Sequence, residues 1–202
     1  MRLSEKTLEL SIIAQLTERL AIPNALWLGL TQKEEKNWGF DAASELGGTL
    51  YILQFKASNT IMGSRSIFAG RRRFKMPHVQ LERLQGLAGS FPDAVSYALP
   101  HIGNTDELAN NQNLVDQTWL LDVAQLPCPY PPPTSENHYA YIAPPECEIR
   151  SVPVQAKLRP LVALTRTPAR EGNARRLAAL LRQPEFSPKG LRLYGLLIPP
   201  GS

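Results

Sequence analysis

Three polar residues of the stretch "WGFDAASELGGTLYILQFKAS" (38–58) carry the first chemical signal in the chain. Asp41 offers a carboxylate, Gln54 a carboxamide oxygen and Lys56 an ammonium. Oxygen ligands of this kind suit a hard cation such as Mg²⁺ (or Mn²⁺). A cation so held polarises a phosphoryl oxygen and turns a bound water into a nucleophile at neutral pH. An ammonium beside it can orient that water and stabilise charge developing on the phosphate. The chemistry indicated is phosphodiester hydrolysis. The ordinary alternative is a solvated strand end, which is what an Asp, a Gln and a Lys near a hairpin usually form.

The elements that would position these residues are readable around them. Residues 38–44 and 49–56 read as two strands joined at Gly47-Gly48, a good hairpin turn. The first strand is the weaker of the two, because "DAAS" has low β propensity. Strand alternation puts Leu50, Ile52, Gln54 and Lys56 on one face and Tyr51, Leu53 and Phe55 on the other. A symmetric turn sets Asp41 opposite position 54. Asp41, the Gln54 side chain, the Phe55 carbonyl and Lys56 then converge on one patch. Upstream, "LSEKTLELSIIAQLTERL" (3–20) spaces Leu8, Ile12, Leu16 and Leu20 as one helical face, with Ser4 as N-cap and Pro23 as its stop. Glu5 and Glu9 lie one turn apart on it. Glu9 is preferred as a further site carboxylate, since it flanks the apolar stripe and lies farther from the helix end.

Farther along, "SNTIMGSRSIFAGRRRFK" (58–75) reads as a long loop or ribbon and "PHVQLERLQGLAG" (77–89) as a helix opened by Pro and closed by Gly. "DAVSYALP" (93–100) and "QTWLLDVAQL" (117–126) read as strands. This order is α/β. Fourteen of the 18 prolines follow residue 126. Residues 1–126 are therefore expected as the α/β core. Residues 127–202 are expected as an irregular proline-rich extension packed on it, with a basic helix at 168–183 and a last strand at 190–199. No internal repeat occurs.

An acid on the first helix, an acid on a strand, then [Asp/Glu/Gln]-x-Lys on the next strand is a pattern this chain shares with the PD-(D/E)XK nuclease superfamily. "GFDAAS…LYILQFKAS" resembles its Gln-x-Lys branch, and the likeness covers roughly residues 3–125. The resemblance implies a restriction-endonuclease-like core with a central mixed sheet flanked by helices. It implies Mg²⁺-dependent cleavage of DNA, more readily than of RNA, with Asp41, Gln54, the Phe55 carbonyl and Glu9 around the metal and Lys56 on the water. It implies a bacterial or phage setting in defence, with a homodimer or a larger defence complex as the assembly. Two departures stand out. Phe40 replaces the proline before the acid. Gln54 replaces an acid, which removes one negative charge at the metal. The second departure keeps an alternative open: a weak or inactive nuclease fold that binds nucleic acid as a subunit.

The remaining signals are weaker. "GRRRFK" (70–75) sets four cations in six residues. Together with Arg65 it makes Arg71, Arg72, Arg73 and Lys75 candidate phosphate contacts, against the ordinary reading of a solvated basic loop. His78 and Gln80, at a helix start, are candidate phosphate or supporting ligands, with helix capping as the more usual role. Arg170, Arg175, Arg176 and Arg182 could widen such a surface. Trp27 and Trp38 could stack on bases, although core packing is the usual fate of tryptophan, and Trp119 reads as core. "YPPP" (130–133) reads as a rigid linker, with a proline-reading partner as the alternative.

The formal charge of +4 permits binding to a phosphate polymer without requiring it. At 43% apolar and 20% charged residues, the composition is that of a globular protein. No run of ~18 apolar residues spans a bilayer. The acidic start reads as an amphipathic helix rather than a secretion signal, consistent with a cytoplasmic protein. Cys128 and Cys147 read as free thiols, with a disulfide between them as the alternative, and form no zinc set with the three histidines. There is no Walker A loop, GxSxG or HExxH.

Overall fold

A computed structural model describes residues 1–20, 27–30, 39–46, 49–58, 60–126, 137–150 and 154–166. In chain order the elements are α1 (Glu5–Leu20), β1 (Leu28–Gly29), β2 (Ala42–Leu46), β3 (Thr49–Phe55), β4 (Arg72–Pro77), α2 (His78–Ser90), β5 (Val95–Pro100), α3 (Thr105–Asn110), β6 (Thr118–Asp122), β7 (Asn137–Ala143), β8 (Glu146–Ile149), β9 (Val154–Lys157) and β10 (Arg159–Pro160). Short 3₁₀ turns follow β6 and β10.

The main sheet is mixed, in the order β1-β2-β3-β5-β6-β10. β3 and β5 run parallel, and every other pair is antiparallel. The second sheet is antiparallel, in the order β4-β7-β8-β9. The α/β class and the mixed sheet are therefore as expected.

Alternation along β3 builds two cores. Leu50 and Ile52, with Ala43, Val95, Tyr97, Leu99 and Leu121, face α2 and the second sheet. Tyr51, Leu53 and Phe55, with Ala42, Ala98 and Leu120, face the Leu8, Ile12 and Leu16 stripe of α1. The layers are thus α1, the main sheet, then α2 with the second sheet. Both faces of the central strands are covered, which is why β3 and β5 read as nearly continuous apolar runs. Ser4 caps α1 as expected, its Oγ accepting from the Thr7 N–H at 3.0 Å.

The second sheet departs from the sequence reading. Of the loop or ribbon expected over 58–75, residues 72–75 form a ribbon strand that runs on to Pro77. Arg72, Phe74 and Met76 turn inward, while Arg73 and Lys75 alternate with them. Residues 137–150 and 154–166 are not irregular. β7 pairs with β4 from Arg72↔Ile142 to Pro77↔Asn137, and β10 joins β6 in the main sheet. A break after residue 126 does not divide these layers. The proline run 127–133, the Gly47-Gly48 turn, Pro23 and Trp38 lie outside the described residues. So do Cys128 and the expected elements at 168–183 and 190–199, with their arginines.

Arg72 ties β4 to the segment after β3 and to α3. It is 2% exposed. Its guanidinium donates to the Ser58 carbonyl at 2.6 Å and to Glu107 Oε2 at 2.8 Å. Burial pushes the Glu107 carboxyl up, but the Gly103 N–H and Arg72 more than reverse this and hold it below its ordinary range. Arg72→Ala removes charged hydrogen bonds to Ser58 and Glu107 and is expected to lose about 1.5–3 kcal/mol of stability in urea unfolding, whereas the exposed Lys75→Ala should change little.

Candidate active site

The β2–β3 register runs Ala42↔Leu53, Ala43↔Ile52 and Ser44↔Tyr51, which sets Asp41 against Gln54 as the hairpin symmetry requires. The Asp41 N–H donates to the Leu53 carbonyl at 3.0 Å, so the ladder closes at Asp41. Asp41 Oδ2 then accepts from Gln54 Nε2 and from the Phe55 N–H, each at 2.6 Å. Gln54 Nε2 also donates to the Phe55 carbonyl at 2.9 Å. Asp41, Gln54 and Lys56 are all buried.

The approach to Asp41 depends on one glycine. Gly39 has φ of +82°. A Cβ there would stand 3.2 Å from Arg83 Cβ and 3.3 Å from the Gln80 carbonyl. The first turns of α2 therefore press against the backbone two residues before the carboxylate.

Lys56 continues past β3, its N–H donating to the Ala98 carbonyl of the parallel neighbour at 3.1 Å. It is 6% exposed. A buried ammonium needs an anion, and Glu5 Oε2 lies 3.6 Å from Nζ. The Ala57 N–H reaches Glu5 Oε1 at 3.4 Å. The helical acid against Lys56 is thus Glu5 rather than Glu9. Glu9 is buried one turn on and accepts from Lys6 at 2.8 and 3.0 Å. The first turn of α1 overhangs the end of β3, which helical periodicity alone does not reveal.

The donor set fits a hard cation. It comprises a carboxylate, a backbone carbonyl and a carboxamide whose Oε1 is buried with no hydrogen-bond partner. Among the described residues no group of three His, Cys, Asp or Glu side chains could hold a metal. Mg²⁺ commonly uses one or two carboxylates and keeps several waters, so this set stays within its range.

The basic candidates divide by exposure. Arg65 lies exposed in the 63–70 turn region, and Lys75 is exposed on β4. Arg71 pairs with Glu148 at 3.0 Å, and Arg73 lies 5.2 Å over the Tyr139 ring. Arg72 is committed to Glu107. His78 is buried and neither caps α2 nor faces solvent. Its Nδ1 meets His138 Nε2 at 3.0 Å, and its Nε2 lies 3.2 Å from Glu82. Trp27 donates to Thr17 at 3.1 Å and packs on the α1 core, and Trp119 packs on the other core. Cys147 is a buried free thiol, pushed up to about 12 by burial. Among the described residues no helix is long and apolar enough to cross a membrane.

No protein-family model matches the chain, and none of the curated proteins matches it significantly.

Two predictions follow from the geometry. Gly39→Ala forces a side chain into a left-handed backbone against α2, and should cost about 1–3 kcal/mol in thermal or urea unfolding. His138 is held below the ordinary imidazole value of 6.5 by burial and by His78. The unfolded imidazole protonates first, so stability falls as pH drops below about 6.5. His138→Phe should flatten that fall in melting curves taken from about pH 7 to pH 5.

Proposed function

We propose that the chain is a Mg²⁺-dependent nuclease that hydrolyses phosphodiester bonds of DNA. The observation that carries the reading is the meeting of Asp41, Gln54 and the Phe55 backbone at the carboxyl end of β3, beside its parallel partner β5, with the buried Lys56 next along the chain. Carboxyl ends of parallel strands are where α/β sheets leave room for ligands.

Asp41, Gln54 Oε1 and the Phe55 carbonyl would hold the cation. When bound, it supplies Lewis acidity and an acidified water. Lys56 follows Gln54 by two residues, and Glu5 Oε2 lies 3.6 Å from its ammonium. Its role would be to orient water and to meet developing negative charge. An acid on the first helix, Asp41 just before β2 and Gln54 and Lys56 at the end of β3 are the features that support the superfamily resemblance, while β4 stands between β3 and α2. Arg65 and Lys75 remain exposed for phosphate contact, and Arg71 and Arg73 are partly exposed. A cytoplasmic role in bacterial defence, as a homodimer or in a complex, belongs to the same proposal.

One observation favours a second reading. Gln54 Nε2 already bonds Asp41 and the Phe55 carbonyl. A site satisfied in this way could serve a catalytically weak subunit that only binds nucleic acid.

Cleavage of plasmid, linear and single-stranded DNA and of RNA, with Mg²⁺, Mn²⁺ or chelator, separates the two. The nuclease reading expects metal-dependent cutting, reduced at least about a hundredfold by Asp41→Ala and by Lys56→Ala while both variants stay folded. Salt-sensitive binding without cutting, retained by both variants, would move the assignment to the binding subunit.

A further inference from the structure

The carboxamide of Gln54 has an orientation that matters beyond ligand count. The side chain is 2% exposed. Its nitrogen lies 2.6 Å from Asp41 Oδ2 and 2.9 Å from the Phe55 carbonyl. Its oxygen is buried with no hydrogen-bond partner. The neighbours dictate which end is which, since an amide oxygen set 2.6 Å from a carboxylate oxygen would be repelled. An NH₂ group, carrying partial positive charge, therefore bridges two of the oxygens that the metal reading needs. Buried acceptors are normally satisfied, and Oε1 is the exception beside them.

We propose that the Gln54 carboxamide is a cation surrogate. Nε2 ties Asp41 to the Phe55 carbonyl while no metal is bound, and a half-turn of the amide brings Oε1 to the same place when a divalent cation enters. The inference rests on the metal-dependent reading above. The terminal torsion of glutamine is broad and roughly two-fold, and the two ends of the amide are nearly equal in size. The turnover thus needs no repacking of the covered strands. It does surrender two hydrogen bonds, so the cation competes with the protein's own donor. A glutamate at position 54 has no donor to surrender. Without metal its carboxylate faces that of Asp41 and is repelled, and with metal it adds a charge.

The test uses the full chain labelled with ¹⁵N. The Gln54 side-chain NH₂ signal is identified by its loss in Gln54→Glu. Mg²⁺ binding is followed by calorimetry on both proteins, and solvent exchange of the NH₂ protons by NMR on the wild type. Expected are a slowly exchanging NH₂ without metal and exchange at least about tenfold faster with Mg²⁺ bound. Gln54→Glu should melt lower than wild type without metal and bind Mg²⁺ at least about tenfold tighter. If Mg²⁺ binds the wild type but the NH₂ protons stay protected, the surrogate is wrong and the metal reading stands. If neither protein binds Mg²⁺, the metal reading fails and the surrogate with it, because the amide is then a fixed strut.

Discussion

A single carboxylate oxygen, Asp41 Oδ2, takes hydrogen bonds from both the backbone and the side chain of the facing strand, and the site is organised around it. The Phe55 N–H and the Gln54 amide end on the same atom at 2.6 Å. Bonds to an ionised acceptor are the stronger kind, and these are screened from water by the burial of all three residues. They fix where the β2–β3 ladder stops and which way the last side chains of β3 point. The positive φ of Gly39 lets the chain reach Asp41 beneath α2 without collision.

From that corner the rest of the arrangement follows by strand geometry. β3 and β5 run parallel, so Lys56 and the residues after Pro100 emerge at one end of the central strands. The faces of the sheet are closed by α1 on one side and by α2 with the second sheet on the other. Polar groups collect at that end of the strands. Glu5 overhangs it from the start of α1, and Arg72 braces it from β4 through Ser58 and Glu107. His101, just past β5, is held below its ordinary value by burial and by the Arg72 charge.

Much of the hairpin was legible before any coordinates. Two glycines between apolar runs define a turn, and alternation across it decides which side chains meet, so Asp41 against Gln54 could be read from spacing. The helix stripe of α1 and the two strands of the core were legible for the same reason. Other features depend on tertiary placement. Whether Glu5 or Glu9 reaches Lys56 is set by how far α1 overhangs β3, and both lie on nearly the same helical face. The second sheet pairs β4 with β7 across many intervening residues, and the three arginines 71–73 around its start resemble a solvated loop. The signal was present in "RRRFKMP", where Arg72, Phe74 and Met76 alternate with Arg71, Arg73 and Lys75. A buried arginine hides it, because its partner Glu107 is remote in sequence. The meeting of His78 with His138 is equally invisible to spacing.

The central claim is that the Asp41 corner is a divalent-cation site. Anomalous difference maps from crystals soaked in Mn²⁺ test it most directly. The account predicts a peak within coordination distance of the Asp41 carboxylate and the Phe55 carbonyl, with the Gln54 oxygen turned toward it. Ordered crystals with Mn²⁺ only elsewhere, and Gln54 Nε2 still on Asp41, would contradict it.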